Sequence, residues 1–140
     1  MSQGPLHSRR AFLALLPVAL VALSGARGWA AAPLAQKKHP TPRRGIDASH
    51  VVLAKDLDGD AKAIEAFDLV RQIPQIVDGI RCTCGCEELE GFYSLLSCFE
   101  QDGMARDCRI CQGNARLVHR LHRKGRTLAQ IRAAVDAENR

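Results

Sequence analysis

Arg81-Cys82-Thr83-Cys84-Gly85-Cys86 carries three of the chain's six cysteines, each separated from the next by one residue. In an extended strand the three alternating thiols would share a face, yet successive sulfurs would stand too far apart to hold one ion closely. Gly85 changes that reading, because glycine reaches φ values closed to other residues and lets the segment bend until its thiols aim at a common point. A compact turn is therefore expected in place of a strand. Cys98, Cys108 and Cys111 follow at intervals of 12, 10 and 3 residues. The expectation is that all six, Cys82, Cys84, Cys86, Cys98, Cys108 and Cys111, form one centre and that the remaining chain holds it.

These residues carry a resemblance. Residues 81–86, Gly91-Phe92-Tyr93-Ser94-Leu95-Leu96-Ser97-Cys98-Phe99, Cys108-Arg109-Ile110-Cys111 and the tail from Lys124-Gly125-Arg126-Thr127 to Ile131-Arg132 resemble a family of small exported bacterial proteins, many of them lipoproteins, named for a Pro-Cys-Tyr-Cys-Gly-Cys motif. Arg81 stands in place of the motif proline, Thr83 in place of its tyrosine, and Phe92 where histidine is frequent. The resemblance implies fold and export, not an activity.

Residues 1–30 read as a targeting segment. Ser8-Arg9-Arg10-Ala11-Phe12-Leu13 resembles the twin-arginine export signal, an apolar run follows over 12–23, and small residues near Ala30 mark a cut. The run is shorter than the ~20 residues a bilayer core needs, and Pro17 interrupts it. No cysteine directly follows the run, so lipid attachment at a mature N-terminal cysteine is not expected. The mature chain is expected to be exported, periplasmic or extracellular, with no membrane span. Removing Arg9, Arg10 and Arg27 lowers the formal charge from +5 to +2, which argues against a nucleic-acid partner.

Export ordinarily means disulfides. A twin-arginine passenger, however, generally folds in the reducing cytoplasm, where thiolates capture a metal before an oxidant reaches them. The reading that follows is a soft-metal protein. Zinc takes four tetrahedral thiolates, Cu(I) is content with two or three, and an iron–sulfur centre also fits six cysteines. Cys82, Cys84 and Cys86 are the first ligands and Cys108 and Cys111 close the site; Cys98 by itself reads equally as a small buried hydrophobe, and it is the resemblance, through its Ser-x-x-x-Cys-Phe stretch, that implies it joins them. Two alternatives stay open. One is an extracytoplasmic thiol–disulfide oxidoreductase acting through Cys108-Arg109-Ile110-Cys111; its Gln112-Gly113-Asn114 continuation resembles the apocytochrome thioreductases. The other is a disulfide-stapled module that interacts with another extracytoplasmic protein. No general base, nucleophile pair or phosphate loop is legible, so catalysis is not read from the sequence.

The scaffold reads as one small all-α domain over 46–138, built of short helices around the cysteine turn and ending in a helical hairpin. Residues 31–45, with three prolines and four cations, read as a disordered basic lead in which His39 is solvated. Asp56-Leu57-Asp58-Gly59-Asp60 superficially suggests a calcium loop, but Ala61 and Phe67 stand where glycine and glutamate are required. Asp60 instead caps a helix whose stripe is Ile64, Phe67, Val70 and Ile73. Pro74 restarts a short helix and Gly79 stops it. Glu87, Glu88 and Glu90 read as a solvated acidic loop.

A helix is predicted over 104–124, with Ile110, Leu117 and Leu121 as one stripe and Arg109, Arg116, Arg120 and Arg123 as a solvated one. Cys108, Cys111, His119 and His122 share a third sector. The eight residues between Cys111 and His119 span about 12 Å of helix axis, too far for one mononuclear site. Gly125 ends this helix, and Thr127-Leu128-Ala129-Gln130 is a capping box opening another, whose Leu128, Ile131 and Val135 fold back. The last residues, 137–140, are expected to fray.

Overall fold

The computed structural model describes residues 37–100 and 103–139. The targeting segment and its cut site lie outside the described residues, as does Arg140. The compact unit Lys37–Arg140 is all helical: α1 is Ala61–Gln72, α2 Pro74–Asp78, α3 Arg109–Arg123 and α4 Leu128–Glu138. Single 3-10 turns at Ala54–Asp56, Cys86–Glu88, Leu96–Phe99 and Met104–Arg106 join them. Among the described residues there is no strand, only an isolated antiparallel bridge between Val51 and Glu100. None of the described helices is long and apolar enough to cross a membrane.

Local chemistry sets the helix ends. The Asp60 carboxylate accepts from the Lys62 and Ala63 amides at 2.8 and 3.2 Å, satisfying two of the otherwise unpaired first-turn donors. Pro74 opens α2, where its missing N–H costs nothing. Thr127 and Gln130 form the expected reciprocal capping box on α4. Phe67, Val70 and Ile73 of the predicted stripe are buried, Ile64 partly so, and Ala63 and Ala66 widen that face. Phe67 meets Phe99 edge to face, with ring centroids 4.7 Å apart. Ile131 and Val135 bury the inner face of α4 against the core that Val118 of α3 also enters.

Several expectations are corrected. The helix predicted from residue 104 begins at Arg109: Met104–Arg106 is a separate turn, and Cys108 is the extended residue before α3. Gln112 fixes this break, since its buried amide donates to the carbonyls of Ala105 and Arg106 at 2.9 and 3.0 Å. The face of α3 turned inward carries Cys111, Asn114, Ala115 and Val118, whereas Ile110 is 47% exposed and Leu117 and Leu121 are only partly covered. The sulfur at Cys111 and the amide at Asn114 have partners inside, which rotates the helix away from its purely aliphatic stripe.

The basic lead over residues 37–45 packs onto the helical unit. Arg43 donates to the wholly buried Asp78 through Nη2 at 2.6 Å and through its backbone amide at 2.7 Å. Arg132 of α4 holds the Pro40 and Gly79 carbonyls at 2.6 and 2.9 Å. His39 is correspondingly enclosed, accepting the Arg81 amide at 3.0 Å and lying 3.2 Å from Asp136. The chain end also docks, because Asn139 bonds inward to Thr83 and Asn114.

Candidate metal centre

The cysteine turn enters the core directly after α2. Ile80 and Cys82 are buried, and the Ile80 carbonyl accepts the Leu95 amide at 2.7 Å, pinning the turn to the segment that carries Cys98. Gly85 takes φ +93°, the left-handed conformation that the sequence reading requires, and its neighbour Cys86 starts a 3-10 turn. The result is three sulfurs in mutual contact: Cys82 to Cys84 at 3.2 Å, Cys82 to Cys86 at 3.1 Å, and Cys84 to Cys86 at 3.0 Å.

Cys98 reaches the same point from its 3-10 turn, 3.1 Å from Cys86. Gly103 makes this approach possible: a Cβ there would lie 2.1 Å from the Cys98 carbonyl oxygen, so only glycine lets the two stretches of backbone touch. Cys111, in the first turn of α3, completes the set at 3.6 Å from Cys82 and 3.5 Å from Cys84.

All six predicted cysteines are brought together as free thiols, in two overlapping groups whose sulfurs lie within 4.8 Å of one another. The first is Cys82, Cys86, Cys98 and Cys111, all buried; the second is Cys84, Cys108 and Cys111, of which Cys84 and Cys108 are partly exposed. The groups consist of sulfur alone. His119 bonds to Gln72 at 3.0 Å, away from the thiols, as the helical rise anticipates.

Four thiolates on one zinc at a Zn–S distance of ~2.3 Å sit about 3.8 Å apart, and the buried four, all within 4.8 Å of one another, have the spacing to hold a metal ion. Thiols of Cys111 and Cys98 hydrogen-bond to Cys82 and draw it down to about 2, against the effect of burial. Burial pushes Cys84 and Cys86 up, and Cys111 is pushed up first by its hydrogen bonding to Cys82. At Cys98 a bond from Cys111 pulls downward, but bonding to Cys82 and burial prevail, and the thiol is pushed up to about 12. Close contact and burial thus move the thiols in opposite directions, Cys82 downward and Cys84, Cys86, Cys98 and Cys111 upward.

The surroundings are polar supports that local sequence patterns do not announce. Thr83 donates to Asn139 Oδ1 at 2.9 Å, Asn139 donates to Asn114 Oδ1 at 3.0 Å, and Asn114 donates back to Thr83 at 2.6 Å. This closed ring ties the cysteine turn to α3 and to the end of α4. Arg81, 8% exposed, anchors the other side by bonding Asp136 at 2.9 Å and facing Glu87 at 3.6 Å. The acidic loop is only partly solvated as expected: Glu87 is half-buried, with its carboxyl pushed up by burial, and Glu88 pairs with Lys37 at 2.6 Å. The one sequence signal for the ring is the run of polar and small residues, Asn114 and Ala115, on the Cys111 face.

Comparison with family models, with curated proteins and with solved structures finds no match for this chain.

Proposed function

We propose that this chain is a soft-metal binding protein, taking Cu(I) or zinc on thiolates and serving outside the cytoplasm after twin-arginine export. The observation that carries the reading is the convergence of four fully buried thiols, Cys82, Cys86, Cys98 and Cys111, from three separate stretches of chain. A stapled module is the poorer account. Disulfides join sulfurs in twos, at about 2.05 Å, whereas Cys82, Cys84 and Cys86 are each within 3.2 Å of both others, a three-way meeting that an ion uses and a pairwise bond does not. The oxidoreductase reading is weaker as well. A Cys-x-x-Cys pair acts through two sulfurs and gives the meeting of Cys82, Cys84, Cys86 and Cys98 no use, while Cys111 of that pair lies against Cys82 and Cys84 at 3.6 and 3.5 Å.

Metal binding requires each ligating thiol to release its proton, so affinity rises with pH. The test is elemental analysis together with a free-thiol count on chain purified without added metal under exclusion of oxygen. Stoichiometric copper or zinc is expected, lost in the Cys82→Ser/Cys84→Ser double variant, which takes one sulfur from each group. Metal-free material with all six sulfurs in stable disulfides overturns the reading.

A further inference from the structure

Four sulfurs close a tetrahedral site and leave an incoming ligand no position to occupy. The two remaining cysteines are arranged differently. Cys84 and Cys108 are partly exposed, and they form their own group with Cys111, the sulfur that also belongs to the buried four. Cys111 lies 3.5 Å from Cys84 on one side and 3.6 Å from Cys82 on the other, so a single thiolate there reaches both positions. A thiolate has lone pairs enough for two soft ions. Cys108 immediately precedes α3 and Cys111 lies in its first turn, so one helix start carries two of the three sulfurs.

We infer that the six thiols hold two ions: beside the buried one, a second soft monovalent ion, Cu(I), sits on Cys84, Cys108 and Cys111, bridged to the first through Cys111, and this outer ion is the one that exchanges. The inference rests on the metal-binding reading and deepens it. Three sulfur donors with no fourth in the group suit Cu(I), which accepts two or three soft ligands, better than zinc. On loading, each ligating sulfur gives its proton to solvent and copper stays Cu(I). On transfer, thiolates of the acceptor form new Cu–S bonds on the open side as the bonds to Cys108, Cys84 and Cys111 break in turn; Cys108 and Cys84 regain protons from solvent, and Cys111 remains a thiolate on the buried ion. No electron moves, and the buried ion keeps its four sulfurs.

Anaerobic titration of the full chain with Cu(I), followed by native mass spectrometry, reads the stoichiometry, and challenge with an excess of a Cu(I) chelator reads the exchange. Two ions are expected in the parent chain, one leaving in a fast phase and one in a slow phase. Cys108→Ser is expected to take one ion and to lack the fast phase. X-ray absorption should show copper–copper scattering in the parent chain that this variant loses. Cys84→Ser provides the same reading should Cys108→Ser not fold. The inference is overturned by a parent chain that saturates at one ion or exceeds two, by both variants still holding two, or by two ions leaving in a single phase. A parent chain that holds one ion tightly refutes only the second position, whereas one that holds none removes the metal-binding reading with it.

Discussion

Two polar regions are buried in this small domain, and they are completed by opposite means. Around Asp78 and Asp136, carboxylates face guanidinium and imidazole groups: Arg43 and Ser94 on the first, Arg81 and His39 on the second. Every member there has a partner of complementary sign or hydrogen-bonding sense, and among the described residues no buried side-chain nitrogen or oxygen is left without one. The sulfur region has no such complement. Its groups are all of one kind, thiols that are weak donors and acceptors to each other. A region that satisfies itself is scaffold, while the one that gathers like groups could hold an ion.

That contrast predicts its own sharpest break. Withdrawing metal acts on the sulfur region alone, and structural thiolate sites contribute apparent binding energies of about 10–16 kcal/mol at neutral pH. Loaded chain treated with a strong chelator should therefore lose most of its cooperative thermal transition, and readdition of metal under reducing conditions should restore it. An unchanged melting curve after verified removal of metal would show that the sulfurs contribute to the core only as small apolar groups.

The charged region should break next most severely. Asp78 is fully buried, and Asp78→Ala leaves Arg43 and Ser94 without their acceptor and detaches the basic lead from α2. Removing one member of a buried pair costs about 3–5 kcal/mol, somewhat less here because Arg43 is 40% exposed and screened by water. Denaturant unfolding with metal bound measures it. Acid should give the same loss reversibly. Burial raises the Asp78 carboxyl, but the hydrogen bonds from Arg43 and Ser94 outweigh it and hold the group below its ordinary 3.8. A depressed folded value means the stabilisation is present above pH 3.8 and is lost as the pH falls through the folded value. Metal should remain bound in Asp78→Ala at neutral pH, which separates the two regions.

These regions were unequally legible in the chain. The sulfur turn announces itself because Cys-x-Cys-Gly-Cys is local: three thiols and the left-handed glycine that gathers them fall within five residues. The Asp60 and Thr127 caps are legible for the same reason, each a side chain meeting amides two or three residues away. The charged region is built over long distances. Arg43 and Asp78 are 35 residues apart and His39 and Asp136 are 97 apart, so the lead shows only prolines and cations, the composition of a disordered segment. The inward face of α3 escaped for a related reason. Ile110, Leu117 and Leu121 make the stronger hydropathy pattern, yet Asn114 turns inward because Thr83 and Asn139, 31 and 25 residues away, close a ring on it. Periodicity detects apolar faces and has no means of detecting a polar one whose partners lie elsewhere.

The smallest expected effect lies where the two regions adjoin, at His39. Its Nδ1 accepts the Arg81 amide immediately before Cys82, so the ring proton belongs on Nε2, facing Asp136. A second proton would have to go on Nδ1, against the amide, and would displace that bond. Burial lowers the His39 value below 6.5, and this outweighs the raising effect of Asp136. For a base whose folded value is lowered, the unfolded chain binds the proton first as the solution is acidified. The contribution is therefore complete above pH 6.5 and is lost as the pH falls from there to the folded value. The loss should be about 1 kcal/mol, the net worth of one hydrogen bond, and His39→Gln should flatten the profile across that interval. Resonance titration of the His39 ring checks the sign directly. A value above 6.5, with stability rising on acidification, would mean that Asp136 governs the ring and that the Arg81 amide is not its partner.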